Sequence, residues 1–91
     1  MRVRWLAASE RDLVRLHTFL KEVSPRAATN RARAIGAAVR KLPEHPRIGH
    51  TLDEFEPREV RALLVDDCEV RYEIDGDTIV ILRVWHTHED R

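Results

Sequence analysis

The first half of the chain has the hydrophobic periodicity of two helices. Charged and apolar residues alternate at positions 2–6, which predicts a short strand. Apolar residues then recur at helical spacing in two stripes, and Ser9 and Ser24 are suitable N-caps for the two helices. Pro25 suits the first turn of the second helix. Almost no linker separates the stripes, so they predict a helical hairpin. The stripe residues are Leu13, Leu16, Leu20 and Val23, followed by Ala28, Ala32, Ile35, Val39 and Leu42.

The second half has the two-residue period of β-strands. Apolar and charged residues alternate along two segments, and a third is apolar at nearly every position; the segments are 59–65, 68–74 and 78–85. Asp66-Asp67 and Asp75-Gly76 supply the turns between them. We therefore predict an α+β fold of order β-α-α-β-β-β, in which the helical hairpin packs on one face of a mainly antiparallel four-stranded sheet. One domain over residues 1–91 should bury Trp5, Leu16, Leu20, Ile35, Val39, Tyr72 and Val84.

The parity of the strands predicts a surface for a partner. Val70, Tyr72 and Ile74 should face the helices, which turns Arg71 to the opposite side of the sheet. If Arg83 lies on that side of the sheet, the large apolar residues at alternate positions of the last strand lie there too. A sheet face that combines arginines with large apolar side chains indicates a bound segment. A β-bulge would invalidate this assignment. The predicted partner-binding residues are Arg61, Leu63, Arg71, Ile79, Ile81, Arg83 and Trp85.

Composition narrows the class of protein. The sequence is 43% hydrophobic and 35% charged, which is typical of a globular domain, and it has no run of about 18 apolar residues that would predict a membrane span. The first residues lack the apolar core of a signal peptide, and a single cysteine, Cys68, excludes an internal disulfide. These features predict a cytoplasmic protein.

Charge is unevenly distributed although the formal net charge is zero. Residues 1–50 carry 11 Lys and Arg against 4 Asp and Glu, whereas residues 51–91 carry 5 against 12. The halves can neutralise each other, and we prefer that interpretation. The alternative is a basic helical surface that meets an acidic partner or a nucleic acid.

The sequence contains the types of residue that scission of RNA requires. Scission of RNA needs a base, an acid and cations that hold the phosphate, and Arg61, Arg71, Arg83 and His86 are the candidates. An ordinary hydrogen bond for the histidine and ion pairs for the arginines are the simpler interpretation. His86 and His88 share one side of a strand, but the sequence places no third ligand beside them, so we expect no metal and no cofactor.

A family resemblance extends along the whole chain. The residues that carry it are, in order, Trp5 with Ala7-Ala8, Asp12-Leu13, Pro25 with Ala27-Ala28, Leu42, His45-Pro46-Arg47, Gly49, Arg61, Tyr72, Asp75-Gly76-Asp77 and ILRVWH at 81–86. In this order and spacing the chain resembles the ParE branch of the ParE/RelE toxin superfamily, the toxins of bacterial type II toxin–antitoxin pairs.

The resemblance implies a toxin that poisons DNA gyrase without known catalytic residues. It also implies a small cognate antitoxin that neutralises the toxin in a hetero-oligomer. RelE-like members instead cut messenger RNA in the ribosome, and they usually have Tyr-Arg where this chain has Cys68-Glu69. The tail HTHEDR also lacks their basic-plus-tyrosine set. The ParE-like interpretation is preferred. Its alternatives are a RelE-like endoribonuclease and an inactivated toxin that only binds its antitoxin.

Overall fold

Five strands and two α-helices account for most of residues 1–89, which are the residues that a computed structural model of the chain describes. A short 3₁₀ helix, Asp53–Phe55, precedes the third strand. The remaining elements are β1 (Arg2–Trp5), α1 (Ala7–Lys21), α2 (Pro25–Lys41), β2 (His50–Thr51), β3 (Glu59–Val65), β4 (Cys68–Asp75) and β5 (Thr78–His86). No helix in this part of the chain is both long and apolar enough to cross a bilayer.

The strands form one sheet in the order β1-β5-β4-β3-β2. β1 runs parallel to β5, and the other neighbours are antiparallel. Both helices pack on the same side, which we call the helix face; the opposite side is the open face. The predicted α+β fold is confirmed. The sheet has five strands instead of the predicted four because β2, with two residues, is too short to show an alternating pattern.

The two helices begin differently from each other. α2 is capped as predicted, because the backbone N–H of Ala27 donates to Ser24 Oγ at 3.2 Å and Pro25 occupies the first helical position. α1 begins earlier, at Ala7, so the prediction that Ser9 is its N-cap is wrong. Ser9 lies buried inside the first turn and donates to the Leu6 carbonyl at 2.6 Å.

The core lies between the helices and the helix face of the sheet. Six of the seven residues predicted to be buried are buried there, from Leu16 and Leu20 on α1 to Tyr72 and Val84 on the sheet. Trp5 is only partly buried, because it lies on the edge strand β1. Val23 is 81% exposed, since α1 ends before it and its side chain leaves the stripe.

A β-bulge in β5 overturns the predicted face of two residues. Arg71 pairs with Arg83, but the next residue of β4, Tyr72, pairs with Ile81, so Leu82 is an extra residue on β5. Because of this extra residue, odd-numbered residues before Leu82 lie on the opposite side of the sheet from odd-numbered residues after it. Ile79 and Ile81 are therefore fully buried on the helix face, and the prediction that they belong to the open face is wrong.

The face predicted for β3 is also wrong. Arg61 pairs with Tyr72, and Leu63 pairs with Val70, so both lie on the helix face. The residues that alternate with them, Val60 and Ala62, are buried although they lie on the open face. The 3₁₀ helix contacts β3 and covers this part of the open face, so burial alone does not identify the helix side of the strand.

Candidate functional site

Arginines and aromatic rings are stacked on the open face. Arg71 and Arg83 are cross-strand neighbours, and the guanidinium of Arg71 lies 4.7 Å from the ring centre of Trp85 and 5.3 Å from that of Phe55. Arg83 lies 5.8 Å from the same Trp85 ring. These are cation–π distances. Trp85 is only 6% exposed beneath the two arginines, so the prediction that it is an exposed apolar residue is wrong.

Asp12 on α1 holds the edge of β5. Its Oδ2 accepts hydrogen bonds from Arg83 Nε at 2.7 Å and from the backbone N–H of Val84 at 2.9 Å, and Arg15 donates to its Oδ1. Burial raises the pKa of this carboxyl, but the donors together outweigh burial and hold the pKa below its ordinary value. Asp12 is 2% exposed and was missed as a site residue. It lies four residues before Leu16, so the spacing places it on the buried stripe of α1, and a carboxylate at that position could have been recognised as a buried, paired group.

His86 is fixed on both sides of its ring. Its Nε2 lies 3.0 Å from Asp67 Oδ2, and its Nδ1 accepts the backbone N–H of His88 at 3.0 Å. Burial raises the pKa of Asp67, but the hydrogen bond from His86 and the charge of Arg31 together bring it below its ordinary value. His86 is 5% exposed, so its geometry matches that of a hydrogen-bonded structural histidine.

Arg61 belongs to a separate cluster at the far end of β3. It donates to Glu59 at 2.9 Å and to the Gly49 carbonyl at 2.7 Å. Its partner on β4 is Tyr72, whereas the partner of His86 is Cys68, four residues away. Four residues of a strand span about 13 Å. Arg61 and His86 are therefore apart on the helix face, and the other two candidates, Arg71 and Arg83, lie on the open face.

Residues 1–89 contain no group of three His, Cys, Asp or Glu side chains placed to hold a metal ion. The Cys68 thiol is fully buried, and burial, with help from the neighbouring Asp67 carboxylate, raises its pKa to about 12. A thiol with this pKa is protonated at neutral pH and is a poor nucleophile.

A groove of about 310 Å³ separates α2 from the end of β3. Three alanines of α2 line the groove on the helix side and Leu63 and its neighbours line it on the strand side, and Leu42 is also a lining residue. The groove contains one of the predicted partner-binding residues, Leu63. Its lining residues are Ala34, Ala37, Ala38, Lys41, Leu42, His45, Ile48, Leu63, Leu64 and Val65.

A family model, described as the ParE toxin of the type II toxin–antitoxin system parDE, matches residues 3–91. The chain belongs to the ParE toxin family. The superfamily and branch inferred from the sequence are thereby confirmed. No curated protein matches this ParE-family toxin.

Solved structures share the fold of this ParE-family toxin. A chain of the chromosomal ParDE toxin–antitoxin system from P. aeruginosa is 21% identical, with a TM-score of 0.75 over 94% of this chain and 95% of that chain. A chain of the toxin–antitoxin complex RelBE2 from Mycobacterium tuberculosis is 29% identical, with a TM-score of 0.60 over 93% and 95%. The fold is thus similar to structures from both the ParDE and the RelBE groups.

Proposed function

We propose that this ParE-family toxin acts by binding and inhibiting DNA gyrase, and that it does so without catalysing a reaction. One observation carries the non-catalytic part of the proposal. The four side chains that could form a nuclease centre are divided between two faces of the sheet, and each has an internal partner. The partners are Glu59 for Arg61, Glu69 for Arg71, Asp12 for Arg83 and Asp67 for His86.

We also propose that a small cognate antitoxin neutralises the toxin in a cytoplasmic hetero-oligomer. Support comes from the two similar structures, since one belongs to a toxin–antitoxin system and the other is a toxin–antitoxin complex. Among the predicted partner-binding residues, Arg83 has a half-exposed side chain, and Arg71 and Leu63 are partly exposed. Arg61 is also partly exposed, so four members of the set remain accessible to a partner, and only Ile79, Ile81 and Trp85 are buried.

Two assays on the purified toxin test the mechanism. We expect the toxin to inhibit gyrase-dependent supercoiling of plasmid DNA and to leave ribosome-bound messenger RNA intact. Adding the product of the reading frame adjacent to the toxin gene should restore supercoiling. RNA cuts at defined codon positions that disappear in an Arg83→Gln variant would establish the endoribonuclease instead. A toxin that binds the antitoxin but is inactive in both assays would be an inactivated family member.

A further inference from the structure

Ion pairs join the basic first half of the chain to its acidic second half. Arg15 on α1 lies 2.8 Å from Glu89, and Arg31 on α2 lies 2.7 Å from Asp67. Each of these contacts uses the charge of a single residue of its helix. Helix α2 carries further cations that take no part in such pairs within residues 1–89.

Three of these cations form a row along the exposed side of α2. Arg26, Arg33 and Arg40 recur at seven-residue steps, and seven residues are close to two turns of an α-helix. The row extends about 21 Å along the helix axis. All three side chains belong to exposed residues, and α2 contains no acidic residue that could cancel their charge. We call this surface the arginine row.

The acidic turn between β3 and β4 lies on a different side of α2. Arg31 contacts Asp66 and Asp67 of this turn. Arg31 is two residues before Arg33, and two residues correspond to about 200° around a helix. The arginine row therefore faces away from the turn, and the carboxylates of the turn do not pair with it.

Helix stability alone does not account for the arginine row. Arg40 suits its position, because the last turn of a helix favours cations. Arg26 lies in the first turn, one residue after Pro25, where the helix dipole disfavours a cation. Arg33 lies in the middle of the helix, where the dipole has little effect. The row is better explained by a negatively charged partner.

The side chains that flank the row indicate the class of that partner. They are small or polar, and they include Thr29, Asn30, Gly36 and Ala37. None of the large apolar side chains that are exposed in residues 1–89 belongs to α2. A protein partner is held mainly by apolar and aromatic anchors at the centre of the interface. A phosphate backbone is instead contacted by arginine, threonine and asparagine side chains.

We infer that the arginine row binds the phosphate backbone of duplex DNA without reading its base sequence. The inference goes beyond the proposed function, since it requires neither gyrase nor an antitoxin. The row, about 21 Å long, is longer than the major groove is wide, about 12 Å, so arginines at its two ends can contact both strands. A single strand is bound chiefly by aromatic rings on which its bases stack, and α2 contains no aromatic residue.

Fluorescence anisotropy with a short, labelled duplex of mixed sequence tests the inference on the purified toxin. Binding should weaken as salt is added, and the logarithm of the affinity should fall against the logarithm of the salt concentration with a slope of about −2.7, for three phosphate contacts. Arg33→Gln/Arg40→Gln should reduce this slope by about 1.8 and weaken binding at least about tenfold at about 50 mM salt. Glutamine is a good helix former, so α2 should persist.

The matched control removes the same charge from another surface. Val3 and Trp5 pack against the core, so Arg2 and Arg4, which alternate with them on β1, lie on the open face. Arg2→Gln/Arg4→Gln should leave the salt slope and the affinity for DNA within about twofold of wild type. Equal losses in the two double variants would mean that DNA responds only to total charge, and this result would overturn the inference.

NMR on the wild-type toxin locates the contact without any substitution. Addition of the duplex should shift the amide signals of Arg26, Arg33 and Arg40 and leave those of Arg2 and Arg4 in place. Shifts confined to the sheet would overturn the inference. This measurement also decides the matter if the Arg33→Gln/Arg40→Gln variant does not fold by circular dichroism.

Competition experiments distinguish the classes of partner. Tighter binding of the single strand than of the duplex would overturn the choice of duplex DNA. A polyglutamate peptide that displaces the labelled duplex more effectively than unlabelled duplex would assign the row to an acidic protein and overturn the inference. A toxin that inhibits gyrase but binds no duplex at low salt refutes the inference and leaves the proposed function in place.

Discussion

The hydroxyl oxygen of Tyr72 lies 2.9 Å from the backbone nitrogen of Gly49 and accepts its hydrogen. The same hydroxyl donates to the Pro46 carbonyl at 2.7 Å, so a fully buried side chain at the centre of β4 positions the loop that leads into β2. There is no room for a side chain at Gly49. An added Cβ would lie 2.8 Å from the Tyr72 hydroxyl and 2.8 Å from the Ala62 carbonyl oxygen.

Replacement of Gly49 should therefore destabilise the protein. We expect Gly49→Ala to lower the free energy of unfolding by about 1–3 kcal/mol, because the new methyl group displaces the tyrosine or the strand. Gly36→Ala is the matched control, since its Cβ would meet only the movable end of Arg40 at 3.2 Å. That change should raise stability by about 0.5–1 kcal/mol through helix propensity. Urea denaturation measures the stability of both variants. If the two variants were destabilised equally, the expected difference in free space around Gly49 and Gly36 would be contradicted.

Asp12 should make stability depend on pH in the acid range. Its pKa is lower in the folded chain than in the unfolded chain, so its contribution is present above about pH 3.9 and is lost as the pH falls through the folded pKa. Asp12→Asn should cost about 1–3 kcal/mol at neutral pH, since Val84 keeps an acceptor but Arg83 loses its charged partner.

The acid limb of the stability profile tests this assignment. Several other carboxyls, among them Glu59 and Glu73, also have lowered pKa values because of hydrogen bonds from arginines. Wild type and Asp12→Asn must therefore be compared by urea denaturation at each pH. The gap between the two proteins should narrow as acid protonates Asp12. A gap that stays constant down to the acid transition would mean that Asp12 acts through packing instead of charge.

Two leucines of α1 carry much of the packing between the helices and the sheet. Leu16 is 2% exposed, so Leu16→Ala should lower the free energy of unfolding by about 2–5 kcal/mol. Val23, at the end of the same predicted stripe, is 81% exposed, and Val23→Ala should change stability by less than about 0.5 kcal/mol. Similar losses in thermal unfolding for the two variants would be inconsistent with the position at which α1 ends.

Trp85 should contribute mainly to folding. Because its ring lies under Arg71 and is almost fully buried, Trp85→Ala should cost about 3–5 kcal/mol of stability. Arg71→Ala removes the cation–π contact and leaves the ring in place, so it should cost about 0.5–2 kcal/mol. Tryptophan fluorescence combined with urea denaturation measures both. A Trp85→Ala variant as stable as wild type would return this residue to the set of exposed candidates for partner binding.

The sequence pattern identified the helices and the faces of β4 but not those of β3 and β5. Val70 and Tyr72 alternate with charged residues, so one parity is plainly apolar. Along β5 nearly every residue is apolar, and one bulge residue, Leu82, changes the parity without leaving a trace in composition. On β3 both parities contain apolar residues, and the 3₁₀ helix with Phe55, which is not part of the strand's own pattern, helps to cover the open face.

Ion pairs were the least predictable part of the site. The arginines of the candidate site do form ion pairs, but Asp12, three residues after the predicted N-cap Ser9, has the spacing of a capping-box residue, and this spacing does not reveal its pairing with Arg83. A capping position and a buried position can share the same spacing from the apolar stripe. The distinction depends on Arg83, 71 residues away in sequence, whose position relative to α1 is set by the sheet.

Helix α1 and the residue before it provide the hydrogen-bond partners that a neighbouring strand would otherwise provide for the second half of β5. The N–H of Val84 donates to Asp12, its carbonyl accepts from Arg15 at 3.0 Å, and the Ile81 carbonyl accepts from the N–H of Leu6. A fragment that has lost residues 1–21 would keep the apolar hairpin of β4 and β5 but expose this edge along its length. An exposed edge of an apolar strand favours pairing with further chains, so the first helix also protects the sheet from edge-to-edge aggregation.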